Sequence, residues 1–167
     1  VKTMDIVTVT LFLSCLTCAL VTGFMLTFAV IVMPGLSKLG DKEFIEAFKS
    51  MDEIIQNNHP IFLLTWMGSI ASVLAAMVVA VYEFGVIVCW PLLVIGLVYL
   101  IGVQGITVFI HLPLNSALQK IEVNAIDLRA ISEQRLLFET RWNYFNRIRT
   151  IIAFAVTVAL MVMLVNG

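Results

Sequence analysis

Charge is scarce in this sequence, and so are the residues that usually announce a reaction. Of 167 residues only 13% are charged, histidine occurs 2 times, cysteine 3 times and proline 4 times. A soluble domain carries about 25% charged residues, so the shortage argues against a water-facing globule. The net charge of −1 leaves no electrostatic footprint for a nucleic-acid partner. No glycine-rich phosphate loop and no Ser/His/Asp arrangement is visible. No acidic residue sits at the centre of an apolar run, which disfavours proton-driven transport. Cys15 and Cys18 form a lone Cys-x-x-Cys inside an apolar run, without the second pair that a zinc site needs. With Cys89 they read as small buried thiols, and no disulfide need be invoked.

What is present is hydrocarbon. Apolar residues make up 61% of the chain and its mean hydropathy is +1.04, the composition of a membrane protein. A spanning helix needs about 20 mostly apolar residues, and four runs qualify, roughly 6–33, 61–82, 86–110 and 148–165. The first is too long and too apolar for a cleaved leader, so it reads as a retained helix. The expectation is an all-α integral membrane protein, an antiparallel four-helix transmembrane bundle forming one domain over residues 1–167.

The connections are unequal. "VYEFGV", residues 81–86, is a tight turn between the second and third runs. Between the first and second, Pro34 and Gly35 are expected to break the helix, and Asp41 to cap a new one. Phe44, Ile45, Phe48, Met51, Ile54 and Ile55 then recur at helical spacing opposite Lys42, Glu46, Lys49 and Glu53. This predicts an amphipathic helix at the membrane surface or across the bundle end. The third connection, from Pro113, reads as a helical extension, a break near "EVNAID", and a polar helix running into the fourth span. Its Arg129, Arg135 and Arg141, interleaved with Glu133 and Glu139, have the pattern of a solvated face. All Lys and Arg but Lys2 fall in the two long connections or at the entry to the fourth span. The positive-inside rule therefore puts the long loops in the cytoplasm and both termini outside.

Polar residues crowd that same side: Asn57, Asn58 and His59 before the second span, His111 and Asn115 after the third, and Trp142, Asn143, Asn146, Arg147 and Arg149 entering the fourth. His111 and Asn115 share one helix face, and Trp142, Asn146 and Arg149 share another. Pro113 frees backbone carbonyls that these side chains could satisfy. Interfacial belts, snorkelling and capping account for such residues in many membrane proteins, and for Arg147 that is the preferred reading. Asn115, Asn146 and Arg149 fit equally a cross-link between helices and a site for an anionic or phenolic oxygen. His59 and His111 raise a weaker haem or metal possibility. Of the neighbouring carboxylates Asp52 and Glu53, only one can face inward, because adjacent helical positions point about 100° apart.

Three stretches carry a resemblance. "GFMLTFAVIVMPGL" (residues 23–36), "HLPLNSAL" (111–118) and "RWNYFNRIRT" (141–150) resemble, in order, the anthrone oxygenase-like family of small four-span membrane proteins. The matching positions are Gly23, Phe28, Met33, Pro34, Gly35, Pro113, Asn115, Leu118, Trp142, Asn146, Arg149 and Thr150. His111 departs from a frequent asparagine, and Asp52 and Ile55 in "MDEII" replace two amide side chains. The resemblance implies binding or oxidation of a lipophilic aromatic or quinone-type small molecule near the cytoplasmic membrane face, without a bound cofactor. Asn115, Trp142, Asn146 and Arg149 would hold the substrate. His111, Asn115 and Arg149 would carry the chemistry, with His111 as the base. A non-catalytic accessory subunit or binder is the alternative, and a homo-oligomer or larger membrane complex stays open.

Overall fold

In hydrocarbon a backbone must satisfy its own hydrogen bonds, and a helix does so within one segment. The computed structural model describes residues 5–166, and among them every regular element is helical. Five helices follow one another: α1 (Ile6–Leu36), α2 (Asp41–Gln56), α3 (Pro60–Phe84), α4 (Val86–Gln119) and α5 (Leu128–Asn166). All but α2 are long and apolar enough to cross a membrane. α1 packs on α3 and α5, and α4 packs on α3 and α5, so the four spans close a four-sided bundle. Its axis is filled by Cys18, Val21, Met25, Ala76, Tyr99 and Ala153 among others. Outward-facing Ile87 and Phe109 are 90% and 79% exposed, a surface that suits lipid rather than water. Cys15, Cys18 and Cys89 are buried and free. Lys2, on which part of the sidedness argument rests, lies outside the described residues.

Gly85 makes the turn from α3 to α4 at φ +77, a left-handed backbone that costs a glycine nothing. The expected break at Pro34 and Gly35 does not occur there, since α1 continues through both to Leu36. The reason is a wide turn over Phe28–Val32, in which Met33 N donates to Phe28 O, five residues back. A proline ring clashes with the carbonyl four residues before it, and a π turn just ahead of the proline moves that carbonyl aside. The same device recurs at Pro113, where Leu112 N donates to Thr107 O and α4 runs on to Gln119. Pro113 therefore adds no helix end, and its backbone is not what Arg149 satisfies.

α2 lies across the end of the bundle, with Phe44, Ile45 and Phe48 buried against Phe138 and Trp142 of α5. Its first helical residue is Asp41, with Gly40 in the cap position, so Asp41 does not cap the helix as expected. Its carboxylate instead accepts from Arg135 Nη1 at 2.9 Å. Ile54 is exposed and Asp52 is buried, which turns the inward face by about one position. The break before α5 covers residues 120–127. At about 1.5 Å per residue α5 is far longer than a hydrocarbon layer is thick. Its N-terminal half therefore stands beyond the spanning region, beside α2.

Candidate functional site

Where α2 closes the bundle, all five helices surround a cavity of about 240 Å³. Its wall is aromatic: Phe24 and Phe28 come from α1, Phe48 from α2, Phe62 and Trp66 from α3, and Trp142 from α5. These rings brace one another, with centroids 5.0 Å apart for Phe24–Phe28, 5.6 Å for Phe28–Trp142 and 5.5 Å for the stacked pair Phe62–Trp66. Met67, Val108 and Leu112 also line the cavity while being 53%, 49% and 48% exposed. The mouth therefore opens between α3 and α4 on the outer, apolar side of the bundle.

Six polar side chains reach the cavity wall: Asp52, Gln104, Thr107, His111, Asn115 and Arg149. Gln104, Thr107, His111 and Asn115 come from one side of α4, where the wide turns Leu100–Gly105 and Thr107–His111 set their register. Such turns are frequent at functional sites.

Arg149 is buried, and its hydrogen-bond partners are neutral. Nε donates to Asn146 Oδ1 at 3.1 Å and Nη1 donates to Thr107 Oγ1 at 3.0 Å. The guanidinium carbon lies 5.7 Å from the Trp142 ring centroid. Asn146 is in turn held by donating from Nδ2 to Met25 O at 3.3 Å, and Thr150 donates to the Asn146 carbonyl at 2.6 Å. Asn146 thus stands behind Arg149 and orients it, outside the residues that line the cavity.

Asp52 is the carboxylate that turns inward, while Glu53 is exposed. A buried carboxylate needs donors, and Asp52 finds three amides. Asn115 Nδ2 donates to Oδ1 at 2.7 Å, Gln119 Nε2 donates to Oδ2 at 3.0 Å, and Gln56 Nε2 also donates to Oδ2. Asn115 Oδ1 accepts from Trp142 Nε1 at 3.1 Å. Asn115 is therefore the rivet that joins α2, α4 and α5, and it makes no bond to Arg149. The cavity has a cation on one part of its wall and an anion on another, with no ion pair between them.

His111 is buried with its ring edge-on to Trp142, centroids 5.0 Å apart. Neither ring nitrogen has a hydrogen-bond partner, the Phe145 backbone being nearby but outside bonding geometry. His59 is exposed and lines a separate groove with Leu20 and Ile61, so the two histidines are not brought to one site. Among the described residues no group of three or more His, Cys, Asp or Glu side chains is arranged to hold a metal ion. Arg147 is exposed.

Of the sequence-predicted site residues, His111, Asn115, Trp142 and Arg149 line one cavity, and Asn146 supports it from behind. Gln104, Thr107 and the aromatic wall lay outside that prediction. A signal for Gln104 did exist, since it is an amide inside an apolar run, where polar groups are costly. The aromatic residues offered none, because Phe and Trp are ordinary in a spanning helix.

A family model described as anthrone oxygenase matches residues 62–159. No curated protein matches the chain, and no solved structure does.

Proposed function

Because the chain belongs to the anthrone oxygenase family, we propose that it binds a lipophilic aromatic molecule of anthrone or quinone type in this cavity and oxidises it there. The observation that carries the reading is Arg149, a buried guanidinium with neutral partners at the edge of an aromatic chamber. Ligand pockets run from about 300 Å³ upward, so this one suits a compact planar molecule better than an extended lipid. The mouth at Met67, Val108 and Leu112 gives such a molecule a route from the bilayer.

An anthrone that loses a proton from its ring methylene becomes an enolate, with negative charge on oxygen and an electron-rich carbon opposite. Arg149 beside that oxygen stabilises the anion in a dry, preorganised site. His111, whose ring nitrogens are unoccupied, takes the proton. Trp142 and the phenylalanines hold the ring plane, while Asn146 and Asn115 hold Arg149, Trp142 and Asp52 in place. Dioxygen reacts at the carbanion. Overall the methylene loses two hydrogens and gains one oxygen atom to become a carbonyl, and the second oxygen atom leaves as water. The electrons come from the substrate. In this reading the end of the bundle with the long connections faces the cytoplasm and the termini lie outside, which the Lys and Arg distribution supports.

The test is anthrone binding to the full chain in detergent under nitrogen, read by quenching of tryptophan fluorescence, followed by quinone formation on admitting oxygen. Arg149→Ala should weaken binding about a hundredfold, the worth of a charge-assisted hydrogen bond. Asn115→Ala should weaken it less and also lower the melting temperature. If both variants bind anthrone and melt as the parent does, the reading is wrong.

A further inference from the structure

Gln104 stands near the midpoint of α4 in "VYLIGVQGITVF", 6% exposed and facing the cavity. Its orientation is set by a short relay of hydroxyls. The Trp66 carbonyl can only accept, so Ser69 Oγ donates to it at 2.7 Å. With its proton committed, Ser69 receives one from Tyr99 Oη at 2.7 Å. Tyr99, having given its own proton, accepts from Gln104 Nε2 at 3.0 Å. The amide nitrogen is thereby turned to the relay, and Oε1 is left over. Oε1 is buried and has no hydrogen-bond partner. An orphaned buried acceptor is costly, and this one belongs to a residue that lines the cavity.

We propose that Gln104 is a specificity-determining residue that accepts a hydrogen bond from a hydroxyl on an outer ring of the aromatic ligand. The inference rests on the function proposed above and adds a second polar pole to it. Gln104 lies three residues before Thr107, to which Arg149 is bonded, so the two poles are set apart along the same side of α4. A hydroxyl immediately beside the ketone would be too close to the enolate oxygen to span that separation, and would be engaged internally with it. A hydroxyl remote from the ketone can reach Gln104 while the ketone oxygen meets Arg149. Arg149 then reads the acidic oxygen and Gln104 reads the direction in which the ring system lies. A site built to hydrogen-bond a hydroxyl rejects the analogue that lacks it.

The experiment compares two probes on the purified full chain, anaerobically, by tryptophan quenching: anthrone itself, and an anthrone with one hydroxyl on an outer ring remote from the ketone. The parent protein should prefer the hydroxylated probe by about tenfold. Gln104→Met should still bind anthrone and should bind both probes within twofold of each other, the preference being lost. Tyr99→Phe, which leaves Gln104 in place but removes the anchor of its amide, should reduce the preference without abolishing binding; should the methionine variant not fold, this variant carries the test. A parent that binds both probes equally, or a Gln104→Met variant that keeps the tenfold preference, overturns the assignment while leaving the proposed function standing. Loss of binding to both probes in Gln104→Met also overturns it, because the residue would then be structural. If the parent binds neither probe, the proposed function itself fails and this inference falls with it.

Discussion

Arg135 and Arg149 lie about four turns apart on α5, and both are withdrawn from solvent, yet their surroundings are opposite. Arg135 is saturated with acceptors. Nε donates to Glu139 at 3.0 Å, Nη1 to Asp41 at 2.9 Å and to the Leu39 carbonyl at 2.8 Å, and Nη2 to the Ser37 carbonyl at 3.0 Å. Its guanidinium also sits 4.6 Å from the Phe44 ring centroid. Arg149 has an amide oxygen, a hydroxyl and an indole face. The first arginine finds its counter-ions within the fold and ties α5 to the 37–40 loop and α2. The second keeps a positive charge beside a cavity with no carboxylate bonded to it, and a buried unpaired charge persists only where surroundings or function hold it there. Arginine on this one helix is thus not one signal but two, told apart by whether anions or a void complete it.

Exchanging each arginine for glutamine should separate the two roles. Arg149→Gln is expected to cut affinity for anthrone about a hundredfold and to leave the melting temperature unchanged or raised, because an uncompensated cation leaves the interior. Arg135→Gln is expected to do the reverse, costing about 2 kcal/mol of stability, since it strands a half-buried carboxylate and loop carbonyls. Its anthrone affinity should stay within twofold. Thermal melts and tryptophan quenching on the same samples check both. Should Arg135→Gln lose the ligand and Arg149→Gln lose the fold, the contrast is inverted and the cavity is not the site. Asp52 is the intermediate case, an anion met by three amides. Asp52→Asn sets one amide donor against the others and should cost about 1 kcal/mol, with a smaller effect on binding than Arg149→Gln.

The same contrast measures what the sequence could convey. Span number, the break at 120–127 and the polar helix that runs into the last span were legible, because they depend on run length and charge, which are properties of single segments. The inward face of α2 was legible to within one position, enough to require that Asp52 and Glu53 part company but not to say which turns in. The fate of Pro34 and Pro113 was not legible. Proline predicts a break unless a wide turn precedes it, and nothing in the composition of "FAVIV" or "TVFIH" announces one. Arg135 was read as a solvated charge because its acidic neighbours in sequence are real, while its tie to the 37–40 loop is a contact across almost a hundred residues. Asn115, Trp142, Asn146 and Arg149 could be grouped by spacing, but not assigned as rivet, wall, support and contact. Those roles depend on which helix faces which.

Thr107 offers the finest division of the comparison, because it is half of what holds Arg149. Its hydroxyl accepts from Arg149 Nη1 and donates to the Val103 carbonyl at 2.8 Å. Thr107→Val keeps the shape and removes the acceptor. The released N–H is the one that met Thr107 on α4, which in this scheme is not the one the ligand contacts, so the loss of that bond does not alter binding directly. What changes is freedom: Arg149 keeps its bond to Asn146 but loses its second tether, and the ligand must immobilise the guanidinium on arrival. Immobilising one long side chain costs about 0.5–1.5 kcal/mol, so the anthrone dissociation constant should rise about threefold. Asn146→Ala removes the other tether, the one at Nε, and should weaken binding to a similar degree. If Thr107→Val weakens binding as much as Arg149→Gln does, then Thr107 touches the ligand itself and the positive pole of the cavity is shared between α4 and α5.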